Sequence, residues 1–308
     1  MIHSPRGATD ATRRPFFERP DHRDAVVRGI RAGVLPLKFA YAGSAAHTHD
    51  RLAHGEGYQS VIGAVSHVRE ALHSAELDDL SRIAELGPGN GVNSLALLRQ
   101  LKDIERFPGR FLGLDFSATL LDIAADNFER EMPDVRFAGA VWDAEAGPTD
   151  AIRDWREDEP GPIPLLFLGN TIGNLEDPVA TVRNLLASMS TEDTLVIGAT
   201  LRGSGDMTKP YENEVFRAAA LEPLIACGID TRLLEFRVEY RDHRVVGTAT
   251  LLGPVGEGLE AGHEVRCFMS RRFSAAEIEQ IIDEAGGERG ITSADASADH
   301  LVVTARRR

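Results

Sequence analysis

Apolar runs that alternate with amphipathic segments between residues 82 and 200 constrain the fold of this 308-residue chain more than any other feature. RIAEL at residues 82–86 is followed by NSLALLRQLK, in which apolar residues lie three and four positions apart. Further apolar runs are RFLGLDF, VRFAGAVWD, PLLFLGN and TLVIGAT. Strands that alternate with helices predict a parallel sheet with right-handed crossovers. We therefore predict an α/β fold with a Rossmann-like sheet and helices on both faces.

The pattern changes on both sides of this core and predicts four regions. Residues 1–80 combine a polar arm with helical periodicity, and we expect their helices to cover the site. Residues 81–200 form the Rossmann-like core. Residues 201–273 place strands around the polar turn RDHR and predict a smaller antiparallel α+β annex that binds the substrate. Residues 274–308 predict a helix and a strand that return to the core.

Charge and hydropathy exclude several kinds of partner. The net charge of −14 argues against an extended nucleic-acid interface, because phosphates require Lys and Arg on the facing surface. No apolar run approaches the ~20 residues of a membrane span, and the N-terminal residues lack the apolar segment of a secretory signal. We therefore expect a cytoplasmic protein that acts on a small molecule, with no membrane partner. The sequence leaves the oligomeric state open.

Cysteine and histidine usage predicts no metal site. Cys227 and Cys267 show no pairing motif, and we expect both to be small buried apolar residues. His47, His49 and His54 lie close together, but no acidic or thiol fourth ligand recurs nearby. A solvated loop that enters a helix is the preferred interpretation.

The loop ELGPGNG at residues 85–91 follows the first predicted strand. Its glycines let the backbone pass close to a ligand, and such a loop usually receives a nucleotide or nucleoside. A dinucleotide fingerprint requires glycine where Val92 stands, which disfavours NAD. Asp115 and Asp143 end the next two strands and can accept hydrogen bonds from ribose hydroxyls and an adenine amine. Trp142 either covers the adenine ring or lies in the core. This set fits S-adenosylmethionine (SAM), which needs no phosphate cradle.

The fourth apolar run ends in FLGNTIGNLED, with two amides at Asn170 and Asn174. One interpretation is an ordinary strand-to-helix connection, because such connections need turn residues. The other is that the amides face a ligand, because open α/β sheets bind their ligands at the carboxyl ends of the strands.

ELGPGNG resembles the first motif of class I SAM-dependent methyltransferases. FLGNTIGNLED resembles the more specific LG(S/N)TIGN loop of the histidine-specific methyltransferase family, which includes the ergothioneine-pathway enzyme. The similarity extends from about PLKFAYAGS to SRRFS. It implies a class I methyltransferase fold and SAM as cofactor. The cofactor-binding residues that we predict are Tyr58, Glu85, Gly87, Gly89, Asn90, Asp115, Trp142, Asp143, Gly169 and Asn170.

The resemblance also implies an acceptor site. Asn174 ends the TIGN motif, and the resemblance implies that it forms a hydrogen bond with the acceptor amine. Tyr41 forms a K-x-x-Y pattern with Lys38, and the resemblance implies that this tyrosine faces the substrate. For Tyr211 in KPYENE, the resemblance implies a contact with the substrate carboxylate. Asn174, Tyr41 and Tyr211 are the predicted catalytic residues. The late family motif (T)E-I-S-x-K-(Y/F) is matched by FMSRRFS, which contains Met269, Ser270, Arg272 and Phe273.

Phe268 stands where the family's late motif has the glutamate that receives the histidine imidazole, and Asn93 stands where the histidine enzyme has lysine. A buried carboxylate suits a cationic ring, whereas a phenyl suits an apolar aromatic face. Since strand side chains alternate, Phe268 and Ser270 should lie on one face and line the acceptor pocket.

We therefore predict methylation of the amine nitrogen of an aromatic, indole- or tryptophan-like metabolite in secondary metabolism. Alternatives within the family are C-methylation of an electron-rich indole ring and histidine Nα-methylation. Alternatives from other classes are an NAD-dependent oxidoreductase and a non-catalytic interaction module.

Overall fold

The computed structural model describes residues 16–53, 81–101, 109–156, 161–203, 205–256, 258–295 and 299–308. These ranges contain eight α-helices, four short 3₁₀ helices and ten strands. Of the residues singled out in the sequence, Tyr58 and His54 lie outside the described ranges.

Seven strands form the main sheet, in the order β3-β2-β1-β4-β5-β10-β9. Strands β1 to β5 are parallel, whereas β10 is antiparallel to both β5 and β9. The chain fills one side of β1 with β2 and β3 and then crosses to the other side, so the sheet has its switch point between β1 and β4. The strands are β1 (Arg82–Leu86), β2 (Arg110–Asp115), β3 (Arg136–Val141), β4 (Pro164–Phe167), β5 (Thr194–Thr200), β9 (Gly287–Asp295) and β10 (His300–Arg307).

Helices cover both faces of this sheet, as predicted. Alternate strand residues point to opposite faces, and in β4 Leu165 and Phe167 join one apolar cluster while Leu166 joins the other. The first cluster includes residues of α5, α6 and α8, and the second includes residues of α3 and α4. These helices are α3 (Val92–Leu101), α4 (Ala118–Glu131), α5 (Ala151–Arg156), α6 (Pro178–Ser188) and α8 (Ala275–Glu284). The predicted α/β core is therefore confirmed.

A second, three-stranded antiparallel sheet has the order β6-β7-β8. Its strands are β6 (Leu234–Arg241), β7 (Arg244–Leu251) and β8 (Glu264–Arg271). Asp242 and His243 connect β6 to β7 with φ values of 49° and 58°, the conformation that a two-residue hairpin turn requires. The predicted polar turn RDHR thus closes a hairpin.

The N-terminal helices lie between the two sheets. They are α1 (Pro20–Ala32), a 3₁₀ helix at Leu37–Tyr41 and α2 (Ser44–Ala53). Val26, Ile30 and Phe39 share an apolar cluster with residues of β7, β8 and α7 (Glu214–Ala226). Glu18 accepts hydrogen bonds from Ala118 and Thr119 at the start of α4. These contacts fix the 3₁₀ helix near the carboxyl ends of the main strands. No helix in the described ranges is long and apolar enough to cross a membrane.

Candidate active site

Glu85 and three glycines form the loop after β1. Ser94 Oγ donates to Glu85 Oε2 at 2.5 Å, and burial raises the pKa of the Glu85 carboxyl to about 7. Gly87, Gly89 and Gly91 have φ values of 71°, 59° and 78°, which L side chains rarely adopt. The backbone of this loop therefore carries no side chains at these three positions, at the crevice of the switch point.

Asp115 ties this glycine loop to the end of β2. Its carboxylate accepts hydrogen bonds from the backbone N–H groups of Gly89 at 3.3 Å and Ser117 at 3.0 Å. Burial raises the pKa of the Asp115 carboxyl to about 7. In the same loop, Asn90 donates to Asp50 of α2 at 2.7 Å. A buried carboxylate that is fixed at a strand end can accept hydrogen bonds from a ribose.

Asp143 follows β3 and is paired with Lys38 from the N-terminal 3₁₀ helix. Lys38 Nζ lies 3.0 and 2.8 Å from the two carboxylate oxygens of Asp143 and 3.1 Å from Glu145. Trp142 beside it is 7% exposed and belongs to an apolar cluster of the main sheet. The indole N–H of Trp142 donates to the Gly147 carbonyl at 2.8 Å. The structure thus places Trp142 in the core, while its contact with the cofactor stays a prediction.

The TIGN loop, residues 168–177, brings the two sheets together. Gly169 and Asn170 have φ values of 69° and 58°. Asn170 Nδ2 donates to Ser270 Oγ and to the Arg271 carbonyl, both at 3.1 Å. Its Oδ1 accepts from the Thr200 N–H at 2.9 Å. The Asn170 side chain therefore links β4, β5 and β8.

Asn174 differs from Asn170, although both belong to one loop. It ends the 3₁₀ helix Thr171–Asn174 and is partly exposed. No hydrogen bond to any described residue satisfies its amide. The loop touches both halves of the site, since a Cβ on Gly87 would lie 3.5 Å from Thr171 and one on Gly173 would lie 2.7 Å from the Arg271 carbonyl. The loop that carries this unbonded amide therefore contacts both the glycine loop and β8.

An aromatic group, which we call the acceptor-side cluster, comprises Tyr41, Tyr211, Phe216 and Phe268. The Phe268 ring centroid lies 5.0 Å from that of Tyr211 and 4.8 Å from that of Phe216. Phe268 is 6% exposed. Its neighbour on the same strand face, Ser270, faces the TIGN loop through Asn170. The cluster thus adjoins the loop that carries Asn174.

Arg272 lies at the same place, although sequence reasoning treated it only as a motif match. It is 7% exposed, and its guanidinium donates to Ser270 Oγ at 2.7 Å and to the Tyr211 hydroxyl at 2.9 Å. Its buried Nε has no partner, and no carboxylate among the described residues forms an ion pair with it. The signal that would have identified Arg272 is a cation two positions after Ser270, which the sequence already places in the acceptor pocket.

His49 lies at the junction of the two halves. Its Nε2 is 3.5 Å from the position that a Cβ on Gly89 would take, and its ring is edge-on to Tyr41 with centroids 4.7 Å apart. Burial lowers the pKa of His49 to about 4. Within the described ranges, no three His, Cys, Asp or Glu residues are grouped so that they could hold a metal ion.

The model of the histidine-specific, SAM-dependent methyltransferase family matches residues 66–214. No curated protein matches the chain.

Solved structures that resemble the chain include a SAM-dependent methyltransferase from Clostridium acetobutylicum, with 11% identity over 85% of this chain and 97% of that one and a TM-score of 0.47. Magnesium protoporphyrin IX methyltransferase from Synechocystis has 12% identity over 85% and 94%, with a TM-score of 0.47. The glycopeptide N-methyltransferase MtfA has 16% identity over 80% and 87%, with a TM-score of 0.45. Residues 66–214 thus match the model of the histidine-specific methyltransferase family, and the chain is a SAM-dependent methyltransferase with a class I fold.

Proposed function

We propose that the protein methylates the amine nitrogen of a small aromatic metabolite of indole or tryptophan type that carries a carboxylate, as a step of secondary metabolism. One observation carries the proposal. The unbonded amide of Asn174 lies in a loop that touches Gly87 on one side and β8, which bears Phe268, on the other.

The nucleotide half of the site fits SAM. Gly87 and Gly89 leave open backbone with positive φ, where side chains would be strained. Glu85, Asp115 and Asp143 lie at or just after the carboxyl ends of three neighbouring strands and would supply carboxylates for the ammonium, the ribose hydroxyls and the adenine amine. When bound there, SAM supplies an electrophilic methyl group on a sulfonium.

The acceptor half supports an aromatic substrate. Tyr211, Phe216 and Phe268 present ring faces and edges close to the TIGN loop. An aromatic contact of this kind contributes ~0.5–1.5 kcal/mol beyond area burial. Phe268 offers no charge partner to an imidazole, which disfavours histidine.

Arg272 supports a carboxylate on that substrate. A buried guanidinium without a counter-ion costs several kcal/mol of desolvation energy. Its donors reach Tyr211 and Ser270, and its Nε stays unbonded. A substrate carboxylate beside Tyr211 would compensate the Arg272 charge.

The chain's own task in the reaction is orientation. With SAM bound, the chain's residues would hold the amine lone pair in line behind the methyl carbon that the sulfonium supplies, and the proton that the amine loses would pass to solvent. The Asn174 oxygen accepts an N–H of the acceptor and so directs the lone pair. Orientation of reacting groups contributes ~7–11 kcal/mol.

The test is SAM turnover by the purified protein with amino acids, their decarboxylated amines and indoles, with mass spectrometry of the products. We expect N-methylation of an aromatic amino acid, with the matching amine at least tenfold slower. Methylation of a ring carbon would favour the C-methyltransferase alternative. Efficient trimethylation of L-histidine without turnover of aromatic acceptors would refute the proposal.

A further inference from the structure

The three-stranded sheet has one face that lies opposite to the face that bears Phe268. On the inner face, Val245, Ala249 and Phe268 belong to apolar clusters that include residues of the N-terminal helices and α7. Since strand side chains alternate, the residues between them lie on the opposite face, which we call the outer face. Among the residues that the structure describes, the outer face carries five arginines, which are Arg237, Arg241, Arg244, Arg266 and Arg271. This face is rich in cations although the chain has a net charge of −14.

Three of these arginines form a row at the hairpin end of the sheet. Arg241 is paired in register with Arg244, and Arg244 is paired in register with Arg271. Directly opposite residues of antiparallel strands have Cβ atoms about 4.5–5.5 Å apart, and like charges at such positions are destabilising. Burial and the neighbouring charge of Arg244 lower the pKa of Arg271 below its ordinary value, although Glu277 and Glu176 oppose that shift. The fold therefore holds three positive charges side by side.

The carboxylates near this row are bonded to arginines outside it. Glu239 and Glu264 form ion pairs with Arg237, Glu176 with Arg266, and Glu277 with Arg202. Arg241 lies at the edge of the row and has one long contact, at 3.7 Å, with Glu239. The exposed Asp242 of the turn pairs with none of the three arginines. Arg244 and Arg271 form no ion pair with any residue in the described ranges, so two cations of the row have no counter-ion there.

The two unpaired guanidinium groups are fixed in position and keep their donors. The guanidinium carbon of Arg271 lies 5.8 Å from the ring centroid of Phe273, and such a contact attracts a cation to the ring. The Arg272 N–H donates to the His243 carbonyl at 2.7 Å and so fixes the turn beside the end of β8. The Nε atoms of Arg244 and Arg271 are buried without a partner, and neither guanidinium donates to a described residue. Since a guanidinium has five N–H donors, the terminal donors of both side chains remain for a ligand.

We propose that Arg241, Arg244 and Arg271 form a binding site for a phosphate group, which is either carried by a small molecule or is free inorganic phosphate. A guanidinium fork can donate two parallel hydrogen bonds to an oxyanion. A phosphate monoester carries about −1.5 to −2 charges at pH 7 and three strong acceptor oxygens. One phosphate group therefore compensates both unpaired cations, whereas one carboxylate compensates a single cation.

This phosphate site is separate from the proposed acceptor site. Arg271 and Arg272 are consecutive, and extended backbone directs consecutive side chains to opposite faces. Arg272 donates to the Tyr211 hydroxyl on the acceptor side, whereas Arg271 lies on the outer face with Arg244. The inference therefore goes beyond the proposed function and does not depend on the identity of the methyl acceptor.

The experiment is a calorimetric titration of the full chain at low ionic strength with inorganic phosphate, glycerol phosphate and acetate. We expect one saturable phosphate site, with acetate at least about tenfold weaker because it carries less charge. Arg244→Met and Arg271→Met should each weaken phosphate binding by about tenfold or more, as for lost hydrogen bonds to a charged group. The matched control Arg28→Met removes an exposed arginine of α1 and should stay within about twofold of wild type.

Further variants separate this site from the acceptor site. Phosphate binding that is lost in Arg272→Met and kept in Arg244→Met and Arg271→Met would mean that phosphate occupies the acceptor site, and the proposal would be wrong. Thermal unfolding checks that each variant is folded. If a methionine variant is not, the matching Arg→Lys variant, which keeps the charge without the planar fork, should still bind phosphate at least about threefold more weakly than wild type.

The two phosphate probes distinguish the sources of the ligand. Tighter binding of glycerol phosphate would assign the site to a phosphorylated small molecule, and tighter binding of inorganic phosphate would assign it to the free ion; either order supports the proposal. Absence of saturable binding of both probes by the wild type would overturn it, as would acetate binding as tight as that of phosphate.

Discussion

The two asparagines of the TIGN loop should respond differently to truncation, because only one of them is bonded to the protein. Asn170 makes three hydrogen bonds, to Ser270, Arg271 and Thr200. Asn174 makes none to any residue that the structure describes. Asn170→Ala should therefore change stability, and Asn174→Ala should change catalysis.

The size of the Asn170 effect follows from its contacts. Each lost hydrogen bond costs about 0.5–1.5 kcal/mol, so the three together cost about 1.5–4.5 kcal/mol. Asn170 has a φ of 58°, and alanine in the left-handed region adds roughly 1 kcal/mol. Asn170→Ala should lower the free energy of unfolding by about 2.5–5.5 kcal/mol. Asn170→Gly loses the same hydrogen bonds without the backbone strain, so its free energy of unfolding should be about 1 kcal/mol higher than that of Asn170→Ala.

Asn174→Ala removes a partly exposed amide and should change the free energy of unfolding by less than about 0.5 kcal/mol. Its kcat/KM should fall at least about tenfold, because the acceptor loses the hydrogen bond that orients its lone pair. Unfolding of both variants in guanidinium chloride at one pH measures the free energy of unfolding, and the release of S-adenosylhomocysteine measures kcat/KM.

Three outcomes would refute this reasoning. The first is an Asn170→Ala variant within 0.5 kcal/mol of wild type at an unchanged denaturant slope, which would mean that the loop is held by other contacts. The second is an Asn174→Ala variant as unstable as Asn170→Ala. The third is an Asn174→Ala variant whose kcat/KM stays within twofold of wild type.

Further predictions concern the cofactor carboxylates and the acceptor pocket. Asp115→Ala should weaken SAM binding by about 1.5–3 kcal/mol, the range for hydrogen bonds to a charged group, and unchanged affinity in calorimetry would contradict the ribose assignment. Burial raises the pKa of Glu85 to about 7, so the native state holds this proton where the unfolded chain has lost it, and stability falls as the pH rises from about 4.5 to 7. Glu85→Gln should reduce the dependence of the unfolding free energy on pH by up to ~1.4 kcal/mol per pH unit. If wild type and Glu85→Gln show the same pH dependence in denaturant titrations, the raised pKa of Glu85 is excluded. Phe268→Glu should raise the ratio of kcat/KM for histidine over an aromatic amino acid at least tenfold, and an unchanged ratio would place Phe268 outside the pocket.

The elements of the core could be predicted because their signals are local. RIAEL coincides with β1 at Arg82–Leu86, and the run PLLFLGN contains β4 at Pro164–Phe167. Both of these strands are buried on both faces, so their apolar composition and the periodicity of the helices between them suffice to predict the elements. The strand order is not local. That β10 inserts between β5 and β9 depends on packing against α8, which no window of sequence contains.

The sequence predicts the residue types of the candidate site, but it does not indicate which of these side chains the fold already bonds. Asn170 and Asn174 are alike in sequence, and what separates them is Ser270, which lies 100 residues further on. Lys38 and Asp143, which are 105 residues apart, meet because the N-terminal helices fold over the strand ends. Such pairs arise from tertiary geometry alone.

The two halves of the candidate site differ in how their cations are compensated. At the nucleotide end, Lys38 is compensated by the carboxylates of Asp143 and Glu145. At the acceptor end, Arg272 is 7% exposed, and no carboxylate among the described residues forms an ion pair with it. Because a buried unpaired charge costs several kcal/mol, the proposed function implies that the acceptor half is complete only when a ligand brings an anion. Under that proposal, recognition of the acceptor depends on a negative charge that the fold itself does not supply.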